Sequence, residues 1–352
     1  MRGLRYLALS LACTLAAGAT LPALATGKTK PAAPAPATTA APAAATSSAT
    51  DTTAALLAFQ RDLISVLAPQ ANPLPLLAAA LMARPLPHQP KYNDFHTLIE
   101  RAAKADGAGP EVSWVRLTDC DAAGDACPNT TALNQLTQQA PDNAAVWLFK
   151  LGLDAHAGKS ADVRSDLAKA AAAKLYDDYT GASLKALASN VSVLPPPATA
   201  TLPQSTTGAT GIQLVLVFGM AGTQPQPGLQ AAAKACEAGA SDAGVKDDCL
   251  KLGKILEWGS SPLARSLGLH LREVLSDDAA QQTDAKNARR TLIWQVQSFA
   301  ELSARAPNDK PLAQHLLALA RSGGTEMSLM LAAMRDYGMA AEPSADWQPH
   351  QG

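Results

Sequence analysis

The sequence predicts an all-α protein, an array of antiparallel helical hairpins in two lobes behind a disordered amino-terminal spacer. Three observations carry this. Apolar residues recur at i, i+3, i+4 and i+7 in segment after segment, the spacing of one helix face. Pro, Gly, Asn and Asp fall between those segments, where helices stop and restart. Hydrophobic residues make up 47% of the chain but aromatic ones only 4%, and much of the rest is Ala, a mix suited to close helix packing.

Residues 1–25 read as a secretory signal. Arg2 and Arg5 supply the charged start, Leu7 to about Ala17 the apolar run, and Ala23-Leu24-Ala25 a small-x-small cleavage site. The run is too short and too weakly apolar to span a membrane. Cys13 offers an alternative, lipid attachment, but Ser10 stands three residues before it where Leu is usual. Cleavage after Ala25 is therefore expected, leaving a periplasmic or secreted protein without an integral membrane span. Residues 26–50 are almost all Ala, Pro, Thr, Ser and Lys, a disordered spacer with nothing to bury.

Residues 51–190 form the first expected lobe. Leu56, Leu57, Leu63, Ile64 and Leu67 make one stripe, and Phe95, Leu98, Ile99 and Ala102 another. Pro73 and Pro75 introduce Leu76–Met82, and Pro110 opens a helix through Trp114. Then Pro141 stops an incoming helix, and Asp142 or Asn143 caps a new one. Val146, Trp147, Leu151 and Leu153 follow near helical spacing. Gly158 suits the left-handed residue that ends a helix, Ser160 caps the next, and Val163, Leu167 and Ala170 form its stripe. Trp114, Trp147, Leu151, Gly158 and Leu167 are the expected structural anchors. The Trp147 ring is expected to pack between the two helices and against Leu133–Leu136.

These residues resemble a tetratricopeptide repeat over about 110–175: a Trp, a small residue near the turn, then spaced small and bulky positions. Trp114 precedes Trp147 by 33 positions, and Leu117/Leu151, Gly124/Gly158 and Leu133/Leu167 sit 34 apart. Leu151-Gly152 comes one residue late after Trp147, and Leu175 stands where the repeat would end in Pro. A fainter echo at 305–338 appears on shifting by 166, which sets Pro141 on Pro307, Gly158 on Gly324 and Val163 on Leu329. The resemblance implies helical hairpins that bind protein or peptide.

Residues 191–211 carry Pro195-Pro196-Pro197, which no helix tolerates. They read as a linker or a long surface loop. Residues 212–340 form the second expected lobe, with helices at about 212–220, 229–237, 245–258, 262–275, 284–304, 312–321 and 326–337. Met327, Met330, Leu331 and Met334 read as core. Residues 341–352 are a tail.

Formal net charge is −1, or −3 once Arg2 and Arg5 leave, with no basic patch; nucleic-acid binding is not expected. Four cysteines remain after Cys13, and the expected pairing is local, Cys120 with Cys127 and Cys236 with Cys249. The histidines His88, His96, His156, His270, His315 and His350 are scattered, so neither metal nor cofactor is expected. Asp177-Asp178 and Asp247-Asp248 read as solvated. No nucleophile or phosphate-loop motif is present. The expected function is a non-enzymatic exported protein that binds protein or peptide. The rivals are an enzyme or small-ligand protein with a cavity between the lobes, and a structural envelope protein.

Overall fold

The computed structural model describes residues 44–86, 88–120, 127–198, 200, 202 and 205–349. The signal, Cys13, Gly124, His350 and the spacer up to residue 43 lie outside them. Fifteen α-helices make up the described chain, with no β-strand among the described residues. They are α1 (Ala44–Leu67), α2 (Pro73–Ala83), α3 (Phe95–Lys104), α4 (Pro110–Arg116), α5 (Thr130–Gln139), α6 (Ala144–His156), α7 (Ser160–Ala172) and α8 (Thr180–Asn190). Then come α9 (Ala209–Ala221), α10 (Leu229–Ala238), α11 (Ala243–Glu257), α12 (Pro262–Leu275), α13 (Ala279–Arg305), α14 (Lys310–Ser322) and α15 (Glu326–Asp336). None is long and apolar enough to cross a membrane.

Local chemistry accounts for most boundaries. Asn143, Asp242, Asp278 and Asp309 each accept a main-chain N–H of the helix they open, and Thr325 and Ser328 form a reciprocal capping box on α15. Gly158 ends α6 with φ 71°. Three boundaries differ from expectation. Helix α1 begins at Ala44, inside the stretch assigned to the spacer. Ser160 is the first residue of α7 rather than its cap, which is Lys159 without a side-chain bond. Helix α13 begins at Ala279 because Asp278 caps it. Helix α8 was not anticipated: its run of Gly, Ala and Ser shows no strong stripe, and it starts from Tyr179 in the left-handed region, φ 57°.

The echo at a shift of 166 has a structural counterpart. Moved by 166, Ala144–His156 falls on Lys310–Ser322, cap Asn143 on cap Asp309, and the start of α7 at Ser160 on the start of α15 at Glu326. The α6–α7 and α14–α15 hairpins thus share both ends of the first helix and the start of the second, while α15 stops two residues sooner than α7.

Three apolar clusters hold the helices. The first centres on α2, buried from Leu76 to Ala83, and gathers α1, α3, α8, α9 and α14 around it. The second joins α4–α7 to α10–α12. The third is small: Met327, Met330 and Met334 against Leu269 and Leu292. Each of the first two draws on both sides of residues 191–208, which loop between α8 and α9. The end of that loop docks on the turn at 306–308, where Ser205 Oγ donates to the Pro307 carbonyl at 2.7 Å.

Trp114 is fully buried in the second cluster, with its ring 5.7 Å from Phe149 and from Tyr179. Leu151 and Leu167 are buried in the same cluster. Trp147 differs from the expectation. It lies at the edge of the hairpin, half-buried, its Nε1 donating to the Pro141 carbonyl at 2.7 Å and Lys169 Nζ 4.7 Å from its ring. Gly152, one residue late for the repeat, has a reason of its own. The chain entering α10 crosses α6 there, and a Cβ on Gly152 would sit 3.0 Å from Gly228 Cα. The disulfides join Cys120 to Cys127 and Cys236 to Cys249, with Cα atoms 5.2 Å and 5.8 Å apart.

Candidate functional site: a polar cleft beside an exposed tryptophan

Helices α12 and α13 are joined by a short turn and lie side by side. On α12, Arg265, Leu269 and Arg272 recur at i, i+4 and i+7; on α13, Asp284, Ala288, Thr291 and Gln295 share one face. Between them runs a cleft of about 510 Å³. Its apolar floor is Leu269 and Leu292, which belong to the methionine cluster. Trp258, just past the end of α11, borders it at 81% exposure. Arg272 Nε lies 3.1 Å from Glu257 Oε1 and its Nη2 2.7 Å from Asp284 Oδ2. Burial raises the Glu257 pKa, and Arg272 opposes that shift.

The chain after α15 runs along the neighbouring face of α13. Trp294 Nε1 donates to the Ala340 carbonyl at 2.9 Å and Gln295 Nε2 to the Ala341 carbonyl at 3.0 Å. Arg290 Nη2 donates to the carbonyls of Ser344 and Trp347 at 2.7 Å and 2.6 Å. The Trp347 ring meets Trp294 edge-on, with centroids 5.4 Å apart. With Ala345, whose carbonyl lies 3.2 Å from Arg290 Nη2, five carbonyls of a non-helical segment are thus held by helix side chains. Gln295 serves both sites, lining the cleft while it holds the tail, and Glu342 of the tail forms part of the cleft wall.

A smaller cleft of about 370 Å³ lies between the end of α2 and the start of α3. In it His96 Nδ1 stands 2.9 Å from Asp119 Oδ1, an imidazole oriented by a buried carboxylate. The Thr118 hydroxyl donates to the Val115 carbonyl at 3.0 Å, and Cys120 is in a disulfide, so neither is poised as a nucleophile.

A third polar cluster forms where α8, α12 and α15 begin. Asp178 is 8% exposed; its Oδ1 accepts from Ser260 Oγ at 3.2 Å, and Ser260 Oγ accepts from the Asp178 N–H at 3.1 Å. The expectation of a solvated Asp177-Asp178 pair is therefore wrong. These residues sit in the turn before α8, against Ser260, not on an open helix face. Burial raises the pKa of Asp177 and, with Asp178 adding to it, that of Glu326, to about 7. Burial likewise holds the Tyr176 hydroxyl well above its ordinary range. Of the other acidic pair, Asp247 is exposed and Asp248 pairs with Arg164. No group of three or more potential ligands among the described residues could hold a metal ion.

Of the anticipated residues, Cys120 alone lines a cleft; Trp114, Trp147, Leu151, Gly158, Leu167, Cys236 and Cys249 lie in or around the second cluster. The sequence reading passed over Trp258, Arg265 and the polar face of α13. One signal for Trp258 was present: Val245, Cys249, Leu252 and Leu256 form the buried stripe of α11, and Trp258 falls off it. Comparison with protein-family models, curated proteins and solved structures finds no match to this chain.

Proposed function

We propose that this protein binds extended polypeptide segments in the α12–α13 cleft, as a non-enzymatic exported protein built from helical hairpins. One observation carries the reading: α13 already holds a non-helical segment, its own tail, by five backbone carbonyls, and the open cleft lies beside that segment with Gln295 common to both. Asn287, Thr291 and Gln295 offer donors and acceptors at i, i+4 and i+8, suited to backbone amides. Trp258 supplies a large rigid apolar face, the residue type that anchors many interfaces. The polar lining alone would suit a small polar ligand as well; the neighbouring tail favours a polypeptide. The two disulfides and the amino-terminal sequence support an oxidising, extracytoplasmic location. The resemblance of residues 110–175 to a tetratricopeptide repeat agrees with a binding role, with the cleft in a different part of the chain.

The test is selection of displayed random peptides on the full chain, with Trp258→Ala as the counter-target. Peptides enriched on the wild type should lose at least about ten-fold in affinity for Trp258→Ala, the scale of an interface anchor. Peptides that bind both proteins alike, or no enrichment at all, would overturn the assignment.

A further inference from the structure

The charges of the cleft are unevenly matched. Arg272 has Glu257 on one side and Asp284 on the other. Arg265, one helical turn and three residues earlier, is half-buried and forms no ion pair with any described carboxylate. Its one hydrogen bond runs from Nε to the Gly259 carbonyl at 2.9 Å. Burial lowers its pKa with no nearby carboxylate acting against the shift. A guanidinium that is partly desolvated and unpaired gains from an anion, and its two Nη groups can hold a carboxylate in bidentate geometry. Gly259 directly follows Trp258, so the Nε bond ties this guanidinium to the backbone next to Trp258, and both residues line the cleft. The acidic groups at the mouth, Asp284 and Glu342, are exposed and screened by solvent.

We propose, resting on the polypeptide-binding reading above, that the cleft selects acidic segments: one carboxylate side chain pairs with Arg265 Nη1 and Nη2 while an adjacent aromatic or apolar side chain packs on Trp258. Lys does not replace Arg265 fully in this arrangement, because an ammonium lacks the planar two-donor fork.

Two pools of nine-residue peptides decide the matter. Both are random apart from a fixed central pair, Glu-Phe in one and Gln-Phe in the other, and both are titrated against the full chain by fluorescence anisotropy. The Glu pool should bind about ten-fold more tightly than the Gln pool, as a charge-assisted bond outweighs a neutral one. The preference should shrink in high salt, vanish in Arg265→Gln and survive in part in Arg265→Lys. Equal binding of both pools to the wild type overturns the acidic preference and leaves the polypeptide cleft standing. No binding by either pool, or binding unchanged in Trp258→Ala, overturns the cleft itself. The wild-type comparison alters only the peptide, so it holds even if Arg265→Gln fails to fold.

Discussion

The side-chain amide of Asn143 donates to the hydroxyl of Tyr179 at 3.1 Å and to the Asp177 carbonyl at 2.7 Å. Its oxygen accepts from the N–H of Ala145, at the start of α6, and from that of Asp177. One buried cap thus ties the base of the α6–α7 hairpin to the turn that leads into α8. Asn143→Ala leaves two N–H groups and a carbonyl without this partner, at a cost of about 2–4 kcal/mol. Tyr179→Phe removes one hydroxyl and should cost about 1 kcal/mol or less. Chemical denaturation of both variants checks the order; equal midpoints would refute it.

The two tryptophans of the α4–α7 region should respond differently. Trp114→Ala opens a cavity in the second cluster and should cost about 3–5 kcal/mol. Trp114→Phe should cost markedly less, because the buried indole N–H has no acceptor to lose. Trp147→Ala removes one hydrogen bond and a cation–π contact at a half-exposed site, together about 1–2 kcal/mol. Melting curves that placed Trp147→Ala below Trp114→Ala would contradict the packing described.

Helix α8 meets the turn between α14 and α15 backbone to backbone, so a Cβ on Gly181 would overlap the Gly324 carbonyl oxygen. Gly181→Ala should destabilise by about 1–3 kcal/mol through overpacking. Gly219, on the exposed side of α9, has nothing within 4 Å of a Cβ, and Ala there should stabilise by up to about 1 kcal/mol. Opposite signs in the two melting shifts are the expected outcome. A rise in both would show that α8 and the turn at Gly324 do not approach this closely.

Glu326 makes stability depend on pH. Its pKa rises from an ordinary 4.5 to about 7 on folding, so the folded state is favoured while the group is protonated, below about 4.5. That contribution is lost as pH climbs towards 7. Asp177 shifts in the same direction. Between pH 5 and 7.5 the wild type should lose about a few degrees of melting temperature relative to Glu326→Gln. Parallel curves for the two proteins over that range would place Glu326 in open solvent.

Much of the fold was legible because its signals are local. Asn143 and Asp309 announce helix starts by side-chain chemistry, Gly158 marks a helix end by its left-handed backbone, and the cysteine pairs are legible from separations of 7 and 13 positions. What could not be read depends on distant partners. Asp178 looked like a solvated carboxylate until Ser260, 82 positions away, came to cover it. His96 faces Glu100 one turn along its own helix, a spacing the sequence does show, but its contact with the buried Asp119, 23 positions away, comes only from the packing of α3 on α4. Trp114 and Trp147 carry equal sequence weight, yet only the first is enclosed by helices from the second cluster. Arg265 stands out by lacking an ion partner, which spacing along a chain does not reveal.

Phe59 and Leu63, near the beginning of the described chain, share a cluster with Leu317 and Ala333, close to its end. A chain made or threaded from its amino terminus delivers the first pair long before the second. The nascent chain therefore carries an unfinished interior, which closes only when its last hairpin arrives. A fragment of residues 51–190 should accordingly be cut rapidly by protease under conditions that spare the whole chain. A resistant fragment would mean that the amino-terminal helices settle without waiting for the rest.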